Sequence, residues 1–464
     1  MDVTDIRTYS TCFCRTTCHV MPCPLAARCR WLFLCILLAM VFANLVLLDL
    51  QSDTGHTTHV GDSAVTDHIT PVTDKNQLPD NSVISRWEAQ HILNESSMKS
   101  LQFKHLTAGS QGHSSVMFLK THKTASSTLQ NILTRYSLSH NLSVALPVYG
   151  ASFFYPAVLF HRTFVLNGDD RKFDFLLHHM VFAKEQVRKV MRNDAVYVTI
   201  LRDPVELFMS AYNFYSYEKC FQSPLETIDL TKHTSLNVTK CLMTHGHVGN
   251  IQMFDLGMDL NRMKTDLDIH RAVARVDKTF DVVLITDMFA ESLLVMKHKL
   301  NWTMSDIVYF TANQQRRSAR QILPSNLTND LYKFHHADNL LYRHFRAKIL
   351  RDIDAIYPDR AVLQADLLEL KRLNQVWYDY CVDARVPVAM ISLKDRSKFR
   401  YFIGYGDVLS YRLRLQMQDD IVCRLLTLPE LSINKYMKAT TSNHWRPTTR
   451  KDLDMLMMKS LRRS

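Results

Sequence analysis

From about residue 113 onward the chain alternates two hydrophobic rhythms. Short apolar runs of strand length occur at 115–121 (SVMFLKT), 173–179 (FDFLLHH), 195–203 (AVYVTILRD) and 280–287 (FDVVLITD). Runs that are apolar at nearly every position are expected of strands covered on both faces. Each is followed by apolar residues at helical spacing, over 127–136, 183–191, 205–215 and 288–300. Such repeats predict βαβ units around a mostly parallel sheet flanked by helices, an α/β fold. Beyond about 330 the periodicity is helical, as in NDLYKFHHADNLLYRHFRAKILRDIDAIY.

The N-terminal part follows neither rhythm. WLFLCILLAMVFANLVLL (31–48) carries no charge and a single amide, Asn44. That is long enough to cross a hydrocarbon core of roughly 30 Å as a helix. Arg7, Arg15, Arg28 and Arg30 precede it, and Asp49 and Asp53 follow. The excess of arginine on one side predicts a cytosolic tail over 1–30 and a transmembrane signal anchor over 31–50. A leader of thirty residues and an apolar run of this length favour an anchor over a cleaved signal peptide. Residues 51–112, rich in Thr, Ser, Asp, His and Asn, cannot bury much surface and read as a lumenal stem. The remainder, 113–464, is then the lumenal globular domain. Asn-x-Ser/Thr sequons at Asn94, Asn141, Asn237, Asn301 and Asn326 suit glycosylation in that compartment. So do the four cysteines beyond the anchor, Cys220, Cys241, Cys381 and Cys423. Pairing near neighbours, Cys220 with Cys241 and Cys381 with Cys423, is one of three connectivities. The cysteines before residue 36 lack metal-site spacing and suit acylation or a tail of free thiols.

Net charge is +11 over 464 residues, so an acidic partner is expected: a nucleotide, an anionic glycan or a membrane surface. The basic residues form no long blocks, and no zinc-finger, basic-zipper or RNA-stacking motif occurs, which argues against nucleic acid. Only 11 glycines are present, too few to favour Gly-rich nucleotide loops. Yet FLKTHKTASSTLQNIL (118–133) is strand, polar loop and helix, the arrangement of a phosphate loop. Hydroxyls of Thr124, Ser126, Ser127 and Thr128 would replace part of the glycine-loop donor set, with Lys123 as a mobile cation. The same residues would equally serve a helix capped by Ser126 beside an incidental lysine. TILRDPVELFMSAYNFY (199–215) is a second strand, turn and helix, with Arg202 at the strand end and Pro204 suited to a first helical turn. A guanidinium there suits a phosphate, and Ser210 lies about two turns further on. Read alone, Arg202 and Asp203 are a surface ion pair.

Together the two elements resemble the nucleotide site of Golgi sulfotransferases, most closely the galactose 3-O-sulfotransferase family. NIQMFDLGMD (250–259), FDVVLITDMFAESLLVMKHKL (280–300), DIVYF (306–310) and NLLYRHF (339–345) are similar to that family's segments in order, and CRLLTLPELSINKYM is similar more weakly. TANQQRRSARQI (311–322), with Arg316 and Arg317, departs from the family pattern. The resemblance implies a P-loop-NTPase-like sulfotransferase fold and 3′-phosphoadenosine 5′-phosphosulfate (PAPS) as co-substrate. It implies that Lys123 relieves charge on the leaving oxygen while Thr124, Ser126, Ser127 and Thr128 bind the 5′-phosphate. Arg202 and Ser210 would bind the 3′-phosphate. The catalytic histidines would be His122 and His179, with His178 the inward-facing neighbour as the alternative. Imidazole titrates near neutrality and suits a general base. Asp255 in MFDLG reads as a turn aspartate ahead of one facing the acceptor. No His/Cys/carboxylate spacing demands a metal, and charge relief by Lys123 needs none.

The expected protein is thus a single-pass type II Golgi membrane enzyme. It would sulfate the 3-hydroxyl of terminal β-galactose on a glycolipid or glycoprotein. The rivals are a sulfotransferase for another sugar, such as a glycosaminoglycan hexuronic acid, and a non-catalytic glycan-binding protein on the same fold. A P-loop kinase is disfavoured by the missing glycines and the sequons.

Overall fold

A computed structural model of the chain describes residues 112–168, 171–231, 249–312, 323–387 and 408–440. The expected tail, membrane anchor and all but the last residue of the stem lie outside the described residues, as do Asn94, Asn237, Cys241, Arg316 and Arg317. Among the described residues no helix is long and apolar enough to cross a membrane.

The elements, in chain order, are β1 (Val116–Leu119), α1 (Ser126–Ser139), β2 (Val144–Ala145), β3 (Phe175–Leu176), α2 (Lys184–Val190), β4 (Val196–Leu201) and α3 (Pro204–Phe214). There follow α4 (Tyr217–Phe221), α5 (Ile251–Asp255), α6 (Asp266–Asp277), β5 (Val282–Ile285) and α7 (Phe289–Leu300). The chain continues with α8 (Ser325–Phe334), α9 (His336–Ile356), α10 (Arg360–Cys381), β6 (Val382–Pro387), β7 (Leu409–Leu413), α11 (Ile421–Thr427) and α12 (Glu430–Thr440). All four expected strands and the helices after them form, with ends shifted by a few residues. The two-residue strand β2 and the antiparallel β6–β7 pair carry no comparable apolar run.

The five-stranded sheet has the order β2-β3-β1-β4-β5, and every pairing is parallel. β1 lies at its centre with all four side chains wholly buried, as the apolar run VMFL requires. Helix α1 lays Leu129, Ile132 and Leu133 into the same core, and α7 adds Leu293, Leu294 and Met296. The chain leaves β1 toward β2 and β3 on one side and later toward β4 and β5 on the other. The C-terminal ends of β3, β1 and β4 therefore flank a topological switch point, where open α/β sheets bind ligands.

The C-terminal part packs as a separate apolar cluster of Val308, Phe310, Trp377, Val382, Val422 and Leu426 around a Cys381–Cys423 disulfide. This is the local pairing for those two cysteines. Cys220 is disulfide-bonded as well. Helix α12 closes back over the sheet end, setting Ile433 and Met437 against Leu146. Asn434 donates to the carbonyl of Gly150 at 3.1 Å. That return brings Glu430 to the loop after β1.

Candidate active site

Three strand ends deliver the expected residues to one place. His122 and Lys123 follow β1, His179 lies three residues beyond β3, and Arg202 is the first residue after β4. The loop between β1 and α1 bends without glycine: Lys123 and Ala125 both adopt left-handed backbone, at φ 58° and 63°. Such a conformation costs a side-chain-bearing residue about 1–2 kcal/mol. What the strain achieves is a separation of donors from acceptors. The carbonyl of Thr121 accepts from Ser126 Oγ at 2.5 Å, and that of Lys123 from Arg202 Nη1 at 3.1 Å. The carbonyl of Thr124 accepts from Thr286 Oγ1 at 2.8 Å, and that of Ala125 from the Thr128 amide at 3.0 Å. The amides of Thr124, Ala125 and Ser126 donate to no acceptor among the described residues. Successive open amides at a helix start form an anion-binding nest.

The hydroxyls play a different part from the one their number suggests. Thr124 Oγ1 lies 2.8 Å from Thr121 Oγ1, and Thr128 Oγ1 accepts from the Ala312 amide at 2.9 Å. Ser126 is engaged with Thr121, and α1 is N-capped by Ala125 without a side-chain bond, so Ser126 is not its cap. Ser127 Oγ donates to Glu430 at 3.2 Å. Glu430 is also ion-paired with the deeply buried Lys120. The hydroxyls thus brace the loop, and the backbone supplies the open donors.

Lys123 projects beside this nest, its ammonium 3.4 Å from the centroid of the Phe214 ring. Burial, and then the charges of Arg202 and Lys120, pull its pKa down to about 7. Arg202 reaches back to the loop through Lys123 and pairs with Glu206 at 3.3 Å. Asp203 makes no ion pair with Arg202; its carboxylate caps α3, accepting from the amides of Val205 and Glu206 at 2.9 and 3.1 Å. Ser210 lies half-buried on α3, past Arg202.

The two histidines meet face to face. The rings of His122 and His179 stack at 4.0 Å, and the Tyr155 ring lies 4.2 Å from that of His122. His178 is the inward neighbour: it is wholly buried against Phe153, and burial lowers its pKa to about 4. His179 is likewise held neutral, by burial and then by the charges of His122 and Lys120. Its Nδ1 donates to the Lys120 carbonyl at 2.9 Å, which leaves Nε2 with a lone pair.

The residue that sequence reasoning set aside is Asp255. It closes α5, is fully buried, and accepts from the His122 amide at 2.9 Å. Its two oxygens lie 3.0 and 3.2 Å from His122 Nδ1. A carboxylate only accepts, so Nδ1 carries the proton and Nε2 is free to take one. The segment MFDLG was legible; the 133-residue separation from His122 was not. Gly257, just beyond α5, has φ +73°, and a Cβ there would meet the Phe182 carbonyl oxygen at 1.9 Å. Gly257→Ala is therefore expected to cost about 2 kcal/mol or more, read as a lowered denaturant midpoint. An unchanged midpoint would mean that α5 tolerates displacement.

Among the expected glycosylation sites, Asn141, Asn301 and Asn326 are all exposed. Among the described residues, no group of three His, Cys, Asp or Glu side chains is placed to hold a metal.

Comparison with known proteins adds an independent line. A family model described as galactose-3-O-sulfotransferase matches residues 34–441. A galactosylceramide sulfotransferase of Bos taurus is 29% identical over 345 residues, covering 73% of this chain and 80% of its own. A galactose-3-O-sulfotransferase 2 of Sus scrofa is 32% identical over 325 residues, covering 68% and 81%. A galactose-3-O-sulfotransferase 3 of Mus musculus is 30% identical over 340 residues, covering 70% and 77%.

Proposed function

The chain belongs to the galactose-3-O-sulfotransferase family, and on that premise we propose that it transfers sulfate from PAPS to the 3-hydroxyl of a terminal β-galactose. The acceptor is a glycolipid or a glycoprotein; the relatives' names speak of galactosylceramide and of galactose. The observation that carries the reading is the loop after β1. Its carbonyls are bound to the protein and its amides are open, with Lys123 and Arg202 alongside. That arrangement suits a nucleotide with two anionic ends and has no use in a module that only binds neutral sugar.

The donor supplies a sulfuryl group joined to a phosphate through a bridging oxygen. The residues then divide the work, which as in phosphoryl transfer is mostly positioning and electrostatics. The open amides of Thr124, Ala125 and Ser126, with the Ser127 and Thr128 turn, bind the 5′-phosphate. Lys123 meets the negative charge that gathers on the bridging oxygen. Arg202 and Ser210 hold the 3′-phosphate. His122 Nε2 takes the proton from the galactose hydroxyl, and Asp255 holds the ring in the required tautomer and stabilises the imidazolium that forms. His179, neutral and stacked on His122, offers its Nε2 lone pair to the acceptor and keeps the ring pair from carrying two charges.

Lys123 must be protonated to bind an anion, yet its pKa in the free protein is about 7. Donor binding therefore takes up a proton above that pH. The apparent dissociation constant of the donor is expected to be flat below pH 7 and to rise about tenfold per pH unit above it. Titration calorimetry across pH 6–9 measures this directly. A constant that stays flat to pH 9 would remove Lys123 as the titrating cation.

The same reading makes the protein a single-pass type II resident of the Golgi membrane, supported by the uncharged run 31–48 and the arginines before it. The deciding assay is sulfate transfer by the full-length chain from labelled PAPS to a panel of glycans, with the sulfated position mapped by mass spectrometry. Label on O3 of terminal galactose supports the proposal. Label on a uronic acid, or donor binding without transfer to any sugar, would overturn the acceptor.

A further inference from the structure

We infer that Gln252 is a positioning residue for recognition of the donor's 3′-phosphate, acting through the backbone of Arg202; this rests on the reading of Arg202 given above. Strand β4 ends at Leu201, paired with Ile285 of β5, and its last residue paired with β1 is Thr199, opposite Leu119. Arg202 is thus the first residue beyond the ladder. Its backbone would be free to swing, carrying the guanidinium with it. Gln252 supplies the missing rung. Its Oε1 accepts from the Arg202 amide at 2.8 Å and its Nε2 donates to the Arg202 carbonyl at 3.0 Å. One side-chain amide thereby reproduces the paired bonds of a neighbouring strand.

The glutamine is itself held firmly. It is wholly buried on α5. Its own amide donates to Asp338 Oδ2 at 3.0 Å, and the Met253 amide donates to Oδ1 at 2.8 Å. Asp338 belongs to α9, and its amide in turn donates to Asn250 Oδ1 at 3.0 Å. The beginnings of α5 and α9 therefore cap each other. With Arg202 anchored, its Nη1 lies 3.1 Å from the Lys123 carbonyl, joining the expected 3′-phosphate arm to the 5′-phosphate loop. A displacement of ~1 Å in such a clamp costs about a hundredfold. The Gln252 side chain also bonds the buried Asp338 carboxylate, which helps to fix its orientation toward Arg202.

The readout is a ratio, which simple loosening of the fold would not move. Full-length protein is titrated with adenosine 3′,5′-bisphosphate and with adenosine 5′-monophosphate, which differ only in the 3′-phosphate. The native chain binds the bisphosphate more tightly. Gln252→Ala, and Gln252→Met as the variant that preserves packing, are expected to shrink that preference by about tenfold. Affinity for the monophosphate should stay within about twofold. In an Arg202→Ala background, Gln252→Met should change the ratio no further, since coupled residues lose their effect together. A preference that survives in Gln252→Met, or two affinities that fall in parallel, overturns the inference while leaving the proposed function intact. A native chain that shows no preference for the bisphosphate overturns the donor assignment itself.

Discussion

Lys123→Ala is expected to lower the rate of sulfuryl transfer by about 10²–10³-fold, the usual effect of removing one preorganised group that meets developing charge. The ammonium rests 3.4 Å from the centroid of the Phe214 ring, a contact that limits where the side chain can move. Burial, and then the charges of Arg202 and Lys120, lower its pKa to about 7, so the charged form is disfavoured until an anion meets it. The alanine variant should accordingly keep or slightly raise its thermal midpoint while losing activity. Initial rates with labelled donor, read beside a melting curve, test both halves. A variant within threefold of native activity would sink the assignment of Lys123, and a large loss of stability would make its role structural.

Asp255→Asn is expected to lower turnover by about 10²–10⁴-fold, the range for loss of a positioned general base. The substitution preserves size and leaves one oxygen for the His122 amide, so donor binding should change little. The new amide group faces Nδ1 as a donor and favours the tautomer with the proton on Nε2. That is the wrong nitrogen to be protonated if Nε2 is to accept from the sugar. His122→Ala should cost a similar factor. The double variant should be no slower than His122→Ala alone, because the carboxylate acts only through the imidazole. Additive losses in the double variant would show that Asp255 serves the reaction without His122. An unaffected turnover would move the base to His179.

The strands of the sheet were readable because each is a run apolar on both faces, and burial on both faces is a property of a parallel sheet's centre. Strand β2 is as short as β3, but its apolar run is cut by Pro147 two residues on, which hides it. The β6–β7 pair has mixed burial along its length. In the site, His122, Lys123 and Arg202 could be named because each stands at a strand end within a local strand–turn–helix pattern. Asp255, Gln252 and Glu430 could not, since none touches a sequence neighbour in doing its work. Asp255 was read as a turn aspartate because the local pattern MFDLG offers nothing else for it to do.

The order of strands and helices was determined by the chain's own pattern of apolar and polar residues, which acts over a few neighbours at a time, and the family by the resemblance of the segment 118–133 and those after it. Which groups of the loop after β1 are left open was decided only by the tertiary structure. Four side-chain hydroxyls stood out in the letters, yet hydroxyls rotate to meet the nearest partner, and the fold engages all four with groups of the protein itself. The open donors are instead amides, present at every residue and therefore invisible in a sequence until the backbone at Lys123 and Ala125 is seen to turn left-handed. The choice between His178 and His179 has the same origin. Adjacent residues near a strand end point to opposite sides, and only the packing shows that His178 turns into the core while His179 stacks on His122.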